Sequence, residues 1–156
     1  MTDNDTTATA GPAPSDEPLI LTQHVAAPRD AVFEFLVVPE KVLRWMGTAI
    51  DIDPRAGGRF WMNANGQDIA TGIYREVVRP ERMVFTFGWE GSEHVPEGST
   101  TVTISLAAED DGTTTVELRH DGLPFGPADA HAQGWTHLLG RLAIAAPGGD
   151  PDAAGH

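Results

Sequence analysis

Residues 58–89 read GRFWMNANGQDIATGIYREVVRPERMVFTFGW, and their pattern decides the fold. Phe60 and Met62 alternate with Arg59, Trp61 and Asn63, the period of two that sends successive side chains to opposite faces of a strand. Asn65-Gly66 follows, the strongest hairpin signal in the chain. Asp68–Val78 reads as the next strand and Arg79-Pro80-Glu81 as the next turn. Arg82–Trp89 then places Met83, Phe85, Phe87 and Trp89 on one face. Three β-prone runs joined by short turns make an antiparallel meander.

The meander continues downstream. The Gly91–Gly98 loop and Asp110-Asp111-Gly112 separate strands at about Thr100–Ala107 and Thr114–His120. Val102, Ile104 and Leu106 share one face, as do Val116, Leu118 and His120. Asp121–Pro127, with two Gly and two Pro, reads as loop. Ala128–Ala146 is long enough for a helix of about 28 Å, with Trp135, Leu138, Leu139 and Leu142 on one broad face.

Upstream, Leu19–Val25 (LILTQHV) is a first strand, stopped by Ala26-Ala27-Pro28. Ala31, Val32, Phe35 and Leu36 define a helical face over Arg29–Val38. Pro39 starts a shorter helix, Glu40–Met46, which closes at Gly47. Ile50 and Ile52 then alternate with Asp51 and Asp53, whose carboxylates read as the solvated side of a strand. The order is strand, two helices, six strands, one long helix. That is an α+β fold, with a curved seven-stranded antiparallel sheet, two short helices and a long C-terminal helix enclosing a cavity.

Residues 1–18 and 147–156 are rich in Pro, Gly, Ala, Thr and Asp and have no large apolar side chain beyond Met1. Both are expected to be disordered tails, leaving residues 19–146 as one domain. The net charge is −13, and six of the acidic residues lie in those ends, which leaves the domain near −7. An acidic domain without a run of Lys or Arg argues against nucleic acid or an anionic membrane as partner. The absence of cysteine excludes disulfides and thiolate sites. No basic start with an apolar stretch marks a signal peptide, so a cytoplasmic location is expected. No phosphate-binding Gly loop, serine elbow or metal-ligand spacing is present, and neither cofactor nor metal is expected.

Several features occur together in order along the core. They are Ala27-Pro28 with Val32-Phe33, Trp45, Gly57-Gly58-Arg59-Phe60, Gly72, and Pro80-Glu81-Arg82 with Val84-Phe85-Thr86. Thr113–His120 with Gly122, and Gly134-Trp135 with Leu139 and Leu142, complete them. In these the chain resembles the START-like (SRPBCC) superfamily, and within it the group related to the activator of the heat-shock-protein-90 ATPase. The resemblance implies a helix-grip fold whose cavity takes a small hydrophobic or amphipathic molecule. The eukaryotic co-chaperone of that group has an additional N-terminal domain, so its ATPase-activating role is not carried over.

The expected cavity face supplies the candidate site. Phe85, Val102, Ile104 and Leu118 read as packing residues. Phe60, Met62, Phe87 and Trp89 are candidate ligand-binding residues on strands, and Leu138 is one on the last helix. Trp45 and Trp135 match family positions near the opening. Tyr74, the only tyrosine, and His120, inward at a strand end, are the candidate hydrogen-bonding or proton-transfer groups. His131 and His137, six apart on the helix, point about 120° apart and read as incidental. Three functions stay open: a carrier of a small, ring-containing molecule; a polyketide aromatase or cyclase type of enzyme using His120 and Tyr74; and a chaperone-interaction module.

Overall fold

The computed structural model describes residues 18–154, and residues 1–17, read as a tail, lie outside them. The elements in chain order are β1 (Leu19–Val25), α1 (Arg29–Val37), α2 (Pro39–Val42) and β2 (Ala49–Ile52). They continue with β3 (Arg59–Asn63), β4 (Ile69–Val78), β5 (Arg82–Trp89), β6 (Thr100–Ala108) and β7 (Thr114–Asp121), then α3 (Phe125–Ala145) and α4 (Pro151–Ala154). All seven strands form one antiparallel sheet in the order β1-β7-β6-β5-β4-β3-β2. The first strand thus closes onto the last. α3 packs on β1 and, through Trp135, reaches Phe87 on β5 and His120 on β7.

Local chemistry explains the boundaries. Val38, extended ahead of Pro39, separates α1 from α2, because a residue before proline is pushed out of the helical region. α2 is shorter than the expected Glu40–Met46. Beyond Val42 the amides of Arg44 and Trp45 bond only three residues back, to Lys41 and Val42, so the chain tightens into turns. Gly47, at φ +78°, then reverses it. α3 begins at Phe125, inside the stretch expected to be loop. Gly126 and Pro127 occupy its first turn, where the backbone N–H groups have no helical acceptor and proline loses nothing.

The register of the meander follows the alternation in sequence. Phe60 pairs with Gly72, Phe85 with Val102, and Ile104 with Leu118. At Gly72 the β5 backbone comes close: a Cβ there would stand 1.7 Å from the Thr86 carbonyl oxygen. Only glycine permits that approach, and the β4–β5 register shifts just beyond it, between Tyr74 and Glu76.

The C-terminal stretch differs from the expected tail. Gly149 N–H donates to Ile144 O and Gly148 N–H to Ala145 O, with Gly148 at φ +108°. This is a Schellman cap on α3. It turns the chain so that Pro151 is buried, Arg44 donates to Gly149 O at 3.0 Å, and Arg141 pairs with Asp152 at 3.0 Å. The two glycines that suggested disorder serve as a helix stop.

The core fills the concave face. Phe60 stacks on Phe85 at 4.5 Å between ring centroids, Tyr74 meets Phe60 edge-on at 6.1 Å, and Phe87 lies 6.1 Å from Phe60. With Val102, Ile104, Leu118, Leu139 and Leu142 all 2% exposed or less, the middle of the sheet is packed. Among the described residues, open space lies at one end of this sheet and not at its packed centre.

Candidate ligand-binding cleft

That space is a cleft of about 450 Å³ between α3 and the ends of β3 and β5, within the range of small-molecule sites. Met62, Phe87 and Trp89 supply the sheet side; Trp135 and Leu138 supply the helix side. Gly47 and the Ala64-Asn65 corner of the β3–β4 hairpin form the rim. Among the described residues, the lining contains no Asp, Glu, Lys or Arg.

The helix is braced over this end of the sheet by two indole–imidazole hydrogen bonds that run in opposite directions. Trp135 Nε1 on α3 donates to His120 Nδ1 on β7 at 3.0 Å. Trp89 Nε1 on β5 donates to His131 Nε2 on α3 at 2.9 Å. The four rings form a continuous aromatic wall with Phe87, which lies 5.2 Å from His120 and 5.3 Å from Trp89.

His120 is fully buried. An indole nitrogen can only donate, so His120 Nδ1 carries no proton. The neutral ring must then hold its proton on Nε2, which donates to Thr100 Oγ1 at 2.8 Å. Thr100 Oγ1 in turn donates to the Phe87 carbonyl at 2.6 Å. Each polar atom in the chain is satisfied once, with one direction throughout. Burial pushes the His120 imidazole down to about 3, and the neighbouring His131 ring acts the same way.

Of the nine residues expected at the site, Met62, Phe87, Trp89, Trp135 and Leu138 line the cleft. The other four are placed elsewhere. Trp45 is fully buried, its Nε1 donating to Phe35 O at 2.7 Å, so it ties the α2 turn to α1 rather than guarding an opening. Phe60 and Tyr74 belong to the aromatic core. Burial, and to a lesser degree the Asp53 carboxylate, raises the Tyr74 phenol above its ordinary range. His120 does face inward as its register implied, but beneath the wall rather than at a hydrated mouth.

His131 and His137, expected to be incidental, both line the cleft. The angle between them rules out a metal pair but not a shared wall, since a broad cleft takes both sides of a helix face. The spacing His131, Gly134, Trp135, Leu138 is a helical i, i+3, i+4, i+7 face and was the available signal. Asp51 and Asp53 are solvated as expected, paired with Arg59 at 3.0 Å and Arg55 at 2.8 Å. Among the described residues, no group of three His, Asp or Glu could hold a metal ion, and no helix is long and apolar enough to cross a membrane.

A curved antiparallel sheet gripping a C-terminal helix, with a cleft between them, defines a protein of the START-like, helix-grip class. The chain belongs to the family described as activator of Hsp90 ATPase homolog 1-like protein, whose model matches residues 26–146. An AHSA1-like protein of Rhizobium etli is 46% identical over 86% of each chain, with a TM-score of 0.66. A protein of the dynemicin biosynthetic locus shares the fold at 22% identity and a TM-score of 0.76, over 88% of this chain. The match spans 49% of that protein, so this chain corresponds to about half of its length. An Hsp90 activator of Plasmodium falciparum also shares the fold, at 17% identity over 82% of this chain and 94% of its own, with a TM-score of 0.69. No curated protein matches the sequence.

Proposed function

We propose that this protein binds a small apolar or amphipathic molecule in the cleft between α3 and the β3 and β5 ends. One observation carries the reading: a cleft of about 450 Å³ walled by Trp89, Trp135, Phe87 and Met62, with no Asp, Glu, Lys or Arg among the described residues of its lining. Such a wall gains free energy by covering apolar surface and by stacking on flat rings. The wall's indole N–H groups are already spent on imidazoles, so a ligand need not satisfy them.

The enzyme reading, which relied on His120 and Tyr74, gains no support from His120. Both His120 nitrogens are hydrogen-bonded, the ring is buried and burial pushes it down to about 3, whereas a general base works best with a pKa near the operating pH. The interaction-module reading asks for a contiguous exposed apolar patch. The large exposed apolar residues, Ile20, Leu43 and Ile73, sit instead on separate elements: β1, the turn after α2, and β4.

The test is a titration of the folded protein with the uncharged probe N-phenylnaphthylamine, followed by tryptophan emission, beside native mass spectrometry of freshly purified protein. Saturable quenching at micromolar probe, or a co-purified small molecule, supports the reading. A folded protein that shows neither, with this probe and with a long-chain alcohol, removes it.

A further inference from the structure

The polar groups of the cleft form a short list, and nearly all of it is committed to the fold. Asn65 lines the rim, but its amide donates to Asp68 at 2.8 Å and its oxygen accepts from the Gln67 and Asp68 amides at 2.9 Å each. Trp89 and Trp135 are held by the two imidazoles. His131 gives Nε2 to Trp89 and has further interactions of its own. His137 is different: it is exposed on the cleft lining, and no described residue is hydrogen-bonded to it.

One turn back along α3, Gly134 also lines the cleft. A glycine inside a helix costs about 1 kcal/mol relative to alanine. Packing does not demand it, since a Cβ there would meet nothing within 4 Å. What a larger side chain would take up is the space of the cleft. Gly140 is just as open but does not line the cleft, so it serves as an internal control.

Resting on the binding role proposed above, we infer that the ligand is an uncharged planar ring compound carrying one hydroxyl or carbonyl group. Its ring lies against the backbone at Gly134 and its polar atom meets His137. An imidazole both donates and accepts, so it suits either a hydroxyl or a carbonyl. The ring faces Trp89 and Met62 across the cleft. An anion finds no Lys or Arg among the described lining residues and is opposed by a chain of net charge −13. Gly134 and His137 are thus specificity-determining residues, one setting room for the ring and the other the polar contact.

The experiment measures binding of naphthalene, naphthol and naphthoate to the full chain and to three variants by tryptophan quenching. In the wild type, naphthol binds about fivefold more tightly than naphthalene, the scale of one net hydrogen bond, and naphthoate binds most weakly. His137→Ala brings naphthol to the level of naphthalene, so that naphthol loses more affinity than naphthalene does. Gly134→Leu abolishes binding of all three, while Gly140→Ala changes none; circular dichroism confirms that each variant is folded.

Equal binding of naphthol and naphthalene, equal loss of both in His137→Ala, or tightest binding of naphthoate overturns the assignment of His137 and of the ligand's charge. Undiminished binding in folded Gly134→Leu overturns the placement of the ring. If the wild type takes dodecanol but no naphthalene compound, this inference fails while the binding role stands. If it takes neither, the binding role itself fails.

Discussion

The indole nitrogen of Trp135 lies 3.0 Å from Nδ1 of His120, and this contact allows the imidazole only one state. A proton on Nδ1 would face an N–H that cannot turn into an acceptor. Protonating His120 therefore breaks the tie between α3 and β7 and leaves a charge in a fully buried site. The same bond that holds the helix over the sheet thus makes the fold sensitive to acid.

The sign of that sensitivity follows from the two states. Unfolded, His120 takes a proton near pH 6.5; folded, it resists until about pH 3. The unfolded chain binds more protons in between, so stability is full above pH 6.5 and falls as the pH drops toward 3. The slope approaches about 1.4 kcal/mol per pH unit. Glu34, Glu76 and Asp111, whose carboxyls are lowered mainly by hydrogen bonds from Lys41, Arg82 and Thr113, add their own loss only near and below the carboxylate range. Urea denaturation at pH 7.0 and 5.5 should show a clear wild-type loss. His120→Gln should be less stable than wild type at pH 7 by about 2 kcal/mol and nearly flat over that interval. Equal pH slopes for the two proteins would contradict the buried neutral imidazole.

The paired braces predict where the helix opens. Trp89→Phe keeps an aromatic ring on β5 but removes the donor to His131. Amide hydrogen exchange over residues 129–138 should then speed up by roughly fivefold, as expected for one net hydrogen bond. Residues 139–145, where Leu139, Leu142 and Ala145 are buried, should keep their protection. Uniform acceleration along all of α3 would show that the helix is not held separately at its cleft end.

Trp45 and Trp89 should separate cleanly in emission. Trp45 is fully enclosed with its nitrogen on Phe35 O, while Trp89 is partly exposed on the cleft. Trp45→Phe should cost about 1–3 kcal/mol, because the Phe35 carbonyl loses its donor and the core loses volume, yet probe quenching should persist. Trp89→Phe should remove much of the quenching. If Trp45→Phe alone removes the response, the binding site lies elsewhere.

The meander was readable because each strand has one buried face: Met83, Phe85 and Phe87, or Val116, Leu118 and His120, set the register by themselves. The Asn65-Gly66 turn was equally plain. Alternation identifies a face but says nothing of depth along it, so Phe60 and Tyr74 at the packed centre looked the same as Met62 and Phe87 at the open end. Hydrogen bonds to the backbone, such as Trp45 to Phe35 O, have no signature in residue type. The braces at His120 and His131 join residues 15 and 42 positions apart, and only the fold brings such pairs together. Gly148-Gly149 misled because the same residues that weaken a tail also cap a helix.

The cap leads to a final expectation, for a chain truncated after Ala146. Removing residues 147–156 deletes both donors of the Schellman motif, so Ile144 O and Ala145 O at the end of α3 lose their partners. It removes Pro151 from a buried position and the acceptor that Gly149 O offers Arg44. The Arg141–Asp152 pair is exposed on the Asp152 side and contributes little by comparison. Packing and the cap together should make the truncated chain less stable by more than about 1 kcal/mol, a typical single-mutation effect. Gly148→Ala tests the cap by itself, because φ +108° strains any residue with a Cβ, and open space around it rules out a clash as the cause. Its loss should be a fraction of the truncation's. If the truncated chain unfolds at the same urea concentration as the full chain, α4 does not dock in solution. The end of α3 would then have to satisfy its carbonyls with water.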